Sequence, residues 1–421
     1  MRKIYASIDI GTYSIKFIVG EYLNDKINIL ASHVVPSKGV KKGLIVEPSI
    51  VVDAIKDGMK EINGILGIEI KRVIVNVPNY GAKFKLVTGE IDIKNDNNFI
   101  TSDDVGTAIK SSVYNKIDPD YELVTVIPIE YNIDDEEGIS KPVGKNGQKL
   151  EIKGIMVSAP KKNVYSVLSV MEGAGLEVVD ITFSGIADYF EVRNSSLDKK
   201  TGVVINIGHE TTTVSIFSRG KMMNTETIHA GGLNVEKDLA YVFGVSIFDG
   251  RLLKEKFASS HKRFCQLNEI YEVKNTIGET IKLNQLEVSE VAMSRLVEIL
   301  NLAKKQIRAL TNQEINYIVL TGGITEFKSF KNLAYEIFGK DVIMYNVTTL
   351  GVRNNEYCSS LGMIKYFIDK MESRGCDYSM VSVEDETSLV TPNNKLKKDN
   401  VIINKIFGGF INGKEAKWFY E

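Results

Sequence analysis

Asp9-Ile10-Gly11-Thr12-Tyr13-Ser14-Ile15-Lys16 decides the fold reading, because Asn206-Ile207-Gly208-His209-Glu210-Thr211-Thr212-Thr213 repeats its layout far downstream. Each segment follows an apolar run (Ile4 to Ile8, Val203 to Ile205) and leads into another (Phe17 to Val19, Val214 to Phe217). Each therefore reads as a strand, a tight glycine turn with hydroxyl side chains, and a returning strand. Glycine in such a turn lets backbone N–H groups approach an anion, and Ser or Thr hydroxyls add donors. Two copies point to two similar lobes closing on one phosphorylated ligand. A third segment, Ile318-Val319-Leu320-Thr321-Gly322-Gly323-Ile324, is a buried strand ending in a glycine pair. Helical spacing follows at Phe330, Leu333, Ala334 and Ile337. Such a pair lets a flat base or ribose lie against bare backbone.

Composition narrows the class. A chain of 421 residues exceeds one ordinary core and implies several subdomains. A formal net charge of −2 gives no electrostatic case for nucleic acid, so none is expected as a partner. Hydrophobic content of 43% and charged content of 25% are those of a globular protein. No stretch approaches the roughly 20 apolar residues of a membrane span, and the start is no signal peptide. Cys265, Cys358 and Cys376 stand apart, which fits a reducing cytoplasm. His33, His229 and His261 lack metal-ligand spacing.

The three loops in this order resemble the two phosphate loops and the adenosine loop of the actin and heat-shock-chaperone ATPase superfamily. Within it the chain resembles the FtsA family of bacterial cell-division proteins over essentially its whole length. Ser37-Lys38-Gly39-Val40-Lys41-Lys42-Gly43 is similar to a Ser-x-Gly-x-x-x-Gly segment of that family. So are Val126 to Tyr131, Glu137-Gly138-Ile139 and Pro142-Val143-Gly144, in the subdomain FtsA carries in place of an actin subdomain. Gly173-Ala174-Gly175-Leu176 and Phe183-Ser184-Gly185-Ile186-Ala187 resemble its re-entry into the first lobe. The resemblance implies an α/β, actin-like two-lobed ATPase fold with duplicated strand-rich lobes and an inserted FtsA-type subdomain.

It also implies roles for particular residues. Asp9, Gly11, Thr12, Tyr13, Ser14 and Lys16 fall on the first phosphate loop, with Asp9 reaching magnesium through water. Asn206, Gly208, His209, Thr211 and Thr212 fall on the second, and Gly322, Gly323 and Ile324 on the adenosine loop. Gly231, Gly232, Asn234, Lys237 and Arg295 fall where the second lobe contacts the nucleotide. The implied cofactors are ATP and Mg²⁺. The implied partners are FtsZ, the tubulin-like division protein, further copies of the chain in a filament, and lipids of the cytoplasmic membrane face at the division site. The second loop departs from the superfamily, whose usual Asp is here Asn206; an amide accepts a hydrogen bond but brings no charge. Glu210 either restores a negative charge or repels the phosphates. Binding with slow or absent turnover is expected, and no residue is assigned as catalytic base.

Residues 1–84 and 164–200 read as the first lobe core, and 85–163 as the inserted subdomain. Residues 201–238 and 315–372 form the second lobe core, and 239–314 a helix-rich subdomain, where the resemblance places FtsZ docking. Ser49 behind Pro48 is a candidate N-cap, helices are expected over 289–310 and 357–371, and the second should lie between the lobes. Residues 373–399 read as a flexible linker.

Residues 400–421 read as an amphipathic, membrane-targeting tail. Ile402, Ile403, Ile406, Phe407, Phe410, Ile411, Trp418 and Phe419 gather large apolar side chains after the polar linker. Trp418 is the only tryptophan, and a membrane interface uses its apolar body and polar N–H. Gly408-Gly409 costs about 2 kcal/mol in a helix, which roughly 1.5–3 kcal/mol for each buried large side chain offsets. Two other readings stand beside this one: a sugar or acyl-phosphate kinase of the same superfamily, and a relative of pilus-assembly ATPases. A kinase would need a carboxylate base facing the γ-phosphate, for which no candidate is evident.

Overall fold

The computed structural model describes residues 3–94 and 97–382. Three antiparallel strands open the first lobe: β1 (Lys3–Ile10), β2 (Ser14–Leu23) and β3 (Lys26–Pro36). A small hairpin of β4 (Val40–Lys41) and β5 (Leu44–Ile45) precedes α1 (Pro48–Leu66) and β6 (Arg72–Val77). Helix α1 buries Val51, Ile55, Met59 and Ile62, whose spacing lays them along one face. Its cap position is Glu47 rather than the expected Ser49. Pro48 takes the first helical position, where its missing N–H is no loss.

The chain then leaves the lobe to form β7 (Lys83–Asp92), α2 (Ser102–Val113), β8 (Tyr121–Ile133), β9 (Glu136–Ile139) and β10 (Lys149–Pro160). These strands order as β7-β10-β8-β9, and Val87, Ile109, Leu150 and Ile152 belong to a core of their own. A capping box between Thr101 and Asp104 starts α2. The first lobe resumes with α3 (Lys161–Gly173), β11 (Glu177–Phe183) and α4 (Ser184–Val192).

The second lobe comprises β12 (Thr201–Ile207), β13 (Thr212–Ser218), β14 (Lys221–Ile228), α5 (Gly232–Phe243) and α6 (Ile247–Leu252). A hairpin of β15 (Ile270–Lys274) and β16 (Thr280–Asn284) leads into α7 (Gln285–Leu310), which Asn284 caps. That start lies four residues ahead of the expected one. Then come β17 (Tyr317–Thr321), α8 (Phe330–Phe338), β18 (Val342–Met344) and α9 (Cys358–Ser373).

The two large sheets repeat one topology, β3-β2-β1-β6-β11 and β14-β13-β12-β17-β18. In each, three antiparallel strands are followed by two that run parallel to the first. Strand β12 is buried on both faces. Val203, Ile205 and Ile207 join the second-lobe core, while Val204 joins the core shared with the first lobe. Between the sheets lie α4 and α9 packed on each other, with α9 against β1 and β2 and α4 against β12 and β13. The expectation of an interlobe helix is therefore met by a pair.

The chain stays docked for some residues beyond α9, where a flexible linker was expected from 373. Met380 N–H donates to the Ile4 carbonyl at 2.9 Å, and the Ser379 hydroxyl accepts from Ile4 N–H at 3.1 Å. Met380 and Val381 are buried. Apolar burial beside the start of β1, ahead of its pairing with β6, holds this stretch in place. The linker from 383 and the tail residues Ile402 to Phe419 lie outside the described residues. Among the described residues no helix is long and apolar enough to cross a membrane.

A Cβ on Gly362 would lie 1.7 Å from the Ala187 carbonyl oxygen, so the two helices meet backbone to backbone. Gly362→Ala should lower folding stability by about 3 kcal/mol, read as an earlier urea midpoint. An unchanged midpoint would contradict the close packing.

Candidate functional site: the interlobe cleft

A cavity of about 420 Å³ lies between the lobes, within the usual size range of small-ligand sites. Its floor is the pair of glycine turns. Gly11 N–H donates to the Ser14 carbonyl at 3.2 Å, and Gly208 N–H to the Thr211 carbonyl at 2.9 Å. The strand registers closing them also correspond, Ile10 opposite Ile15 and Ile207 opposite Thr212. The Ser14 hydroxyl is buried with no hydrogen-bond partner among the described residues. Gly322 has φ +94°, and a Cβ there would lie 2.3 Å from Asn206 Oδ1. Only glycine fits that position. At Gly323 a Cβ would meet nothing within 4 Å, so bare backbone opens onto the cleft. An orphaned hydroxyl, glycine cradles and the Lys16 ammonium fit a phosphorylated ligand.

The first-loop residues Asp9, Gly11, Thr12, Tyr13, Ser14 and Lys16 all line the cavity. So do Asn206, Gly208, His209 and Thr211 of the second turn, and Gly232, Gly322, Gly323 and Ile324. Five expected residues do not. The Thr212 hydroxyl donates to the Ala230 carbonyl at 2.8 Å, tying β13 to the start of α5. Gly231 sits behind the wall, where a Cβ would lie 2.6 Å from the Gly208 carbonyl, and Asn234 Oδ1 accepts from its N–H. Lys237 is exposed. Arg295 is held by Asp238, with Nη2 3.0 Å from Oδ1, and pairs with Glu298 on its own helix. Thr212, Gly231, Asn234 and Arg295 are thus held by local partners, and Lys237 faces solvent.

Three charge arrangements shape the cleft. Lys16 Nζ lies 3.4 Å from Asp9 Oδ2, and both side chains are nearly buried. Glu236 is fully buried beneath Lys254, at 2.6 Å, and Arg251, at 3.3 Å, with His209 Nδ1 3.7 Å away. Desolvation lowers the His209 pKa, and Glu236 opposes the shift. The third is Asp188, which accepts from Asn206 Nδ2 at 2.8 Å and from the Ser359 hydroxyl at 2.6 Å. Burial, opposed by those bonds, pushes its pKa up to about 7.

Several contacts join the lobes across the cleft. The Tyr13 ring lies 4.9 Å from the His209 ring and 4.8 Å from the Arg251 guanidinium. The Glu210 carboxylate accepts from Lys42 N–H, so Glu210 is a tie between lobes. Asn79 Nδ2 donates to the Thr225 hydroxyl at 3.2 Å.

Sequence reasoning missed Asn76, Asp188, Glu236, Lys254 and Ser359. Asn76 Oδ1 accepts from Ile10 N–H at 2.8 Å and holds the first turn in place. A polar residue within the apolar run Val73 to Val77 was its available signal, as was a lone carboxylate between Ala187 and Tyr189 for Asp188. Glu236 lies in a charged stretch that reads as a solvated helix face.

The architecture is that of an actin-like, two-lobed protein built around a nucleotide cleft. It resembles MreB5 of Spiroplasma citri bound to ADP (TM-score 0.53, 12% identity, 89% of this chain and 98% of that one). It also resembles the PilM-PilN type IV pilus biogenesis complex (TM-score 0.59, 15% identity, 85% of this chain and 97% of that one). Residues 203–362 match the family model of cell division protein FtsA, and 82–158 that of the SHS2 domain inserted in FtsA. Cell division protein FtsA of Enterococcus hirae is 30% identical over 367 residues, 86% of this chain and 83% of the relative. The chain belongs to the FtsA family of cell division proteins.

The raised Asp188 pKa has a testable sign. The unfolded chain releases this proton near pH 3.8 and the folded one near 7, so its contribution to stability is lost as pH rises through that interval. Asp188→Asn should flatten the decline of melting temperature between about pH 4 and 7 relative to the parent. Parallel curves would contradict the buried carboxyl.

Proposed function

We propose that the cleft binds ATP with Mg²⁺, and that the protein polymerises and tethers FtsZ filaments to the cytoplasmic face of the membrane at the division site. The observation that carries the nucleotide part is the paired glycine turn with its unpartnered Ser14 hydroxyl, repeated in register in the second lobe. Backbone N–H groups, Ser14 and Lys16 suit the phosphates, and the open backbone at Gly323 suits the adenosine. When bound, magnesium would screen phosphate charge, with Asp9 at the cleft floor to hold its hydration shell.

No residue of the cleft is assigned as a general base, which fits an adaptor whose nucleotide sets shape more than turnover. A ligand touching both turns favours the closed arrangement of the lobes by its differential contacts. Filament formation would then multiply weak single-tail attachment into stable binding, so assembly and anchoring reinforce each other.

Gly323→Leu should fold normally, since its Cβ meets nothing, yet lose ATP affinity by about 100-fold, or roughly 2.7 kcal/mol. Unchanged affinity by calorimetry would remove the assignment.

Full-length protein should pellet with acidic-lipid vesicles, more strongly with ATP–Mg²⁺, and a 1–399 truncation should stay in the supernatant. Pelleting of the truncation would sink the anchor. FtsZ should co-pellet only with the full chain.

A further inference from the structure

The internal duplication makes Asp9 and Asn206 counterparts. Each is the penultimate residue of the first strand of its lobe, just ahead of the isoleucine and the glycine turn. In the first lobe this position carries a carboxylate paired with Lys16. In the second it carries an amide, and a carboxylate stands directly behind it. Asp188 of α4 is fully buried, with Oδ2 2.8 Å from Asn206 Nδ2 and Oδ1 2.6 Å from Ser359 Oγ.

The hydrogen bonds leave a specific pattern. Asn206 Nδ2 donates to Asp188 and, at 3.4 Å, to Ser359 Oγ, while the Ser359 hydroxyl donates to Asp188. The donors of both cleft-lining side chains are thereby consumed, and acceptor oxygens remain. Hydrogen bonds to a carboxylate also polarise those oxygens. Asp188 forms no ion pair with Lys or Arg among the described residues, and Asp9 is close enough to raise its pKa by charge repulsion. A buried carboxylate balanced only by neutral donors, beside a second carboxylate, lacks its counter-cation.

We infer that Asp188 stands in for the carboxylate that the second glycine turn lacks: acting through Asn206 and Ser359, it supplies the charge that position 206 lacks and makes nucleotide affinity depend on a divalent cation. The inference rests on the nucleotide reading of the cleft. Asp188 is a positioning residue, since only Asn206 and Ser359 face the cavity. Asp9 at the first turn and Asp188, acting through Asn206 at the second, then present two negative charges to the hydrated cation. Closure of the lobes brings both to bear on one ion.

The test is calorimetric ATP affinity in Mg²⁺ and in EDTA for the parent, Asp188→Asn, and the charge-moved double variant Asp188→Asn with Asn206→Asp. The magnesium gain is the ratio of the two dissociation constants. A packing defect lowers both affinities alike and leaves the ratio unmoved. Asp188→Asn should lose about tenfold of the gain while its EDTA affinity stays within about twofold of the parent. The double variant should recover the gain to within about threefold, and it decides the matter should the single variant fold poorly. A full gain in Asp188→Asn, or none in a double variant that melts like the parent, would overturn the role of Asp188. Absence of ATP binding by the parent in both buffers would overturn the cleft reading itself and the inference with it.

Discussion

Backbone contact between α4 and α9 sets the distance between the two sheets, and the cleft inherits that distance. Gly362 is what permits it, because any side chain there would run into the Ala187 carbonyl. The same helices carry Asp188 and Ser359, one residue beyond Ala187 and three before Gly362. Their approach therefore also fixes the hydrogen-bonded group behind Asn206. Widening the contact would separate the lobes and dissolve that group together. Structural and functional constraints meet at one glycine.

The charged groups around the cleft are arranged more for function than for stability. Ion pairs as buried as Glu236 with Lys254 repay their desolvation poorly, and apolar residues of equal volume would serve a core as well. Retaining them beside glycine turns makes sense where an anionic ligand must be met by fixed dipoles and cations. Tyr13, His209 and Arg251 extend the charge cluster across the mouth, so the turns of the two lobes touch each other as well as the cavity. A change in one turn is then felt by the other through direct contact.

Much of this protein was legible in its sequence because its signals are local. A strand that ends at Asp9-Ile10-Gly11 and a second that ends at Asn206-Ile207-Gly208 declare themselves by hydrophobic run and glycine, and the structure places both turns on one cavity. The apolar spacing of α1 and the capping box of α2 are signals of the same kind, since both depend on neighbours a few residues away. The Ser49 cap failed for an equally local reason, since Pro48 had already claimed the first helical position.

Tertiary structure alone decided what depends on distant partners. Asp188 meets Asn206 and Ser359 only because three elements far apart in the chain converge, and nothing in the spacing of those residues announces it. Arg295 and Lys237 sit at positions that resemblance links to the nucleotide, yet Asp238 beside one and solvent around the other determine where their charges go. The segment ending at Val381 reads as linker by composition, but the start of β1, ahead of its pairing with β6, offered it apolar burial and hydrogen bonds. Periodicity and turn chemistry are properties of neighbours in sequence; the protonation of a carboxylate and the docking of an irregular segment are properties of whatever the fold brings beside them.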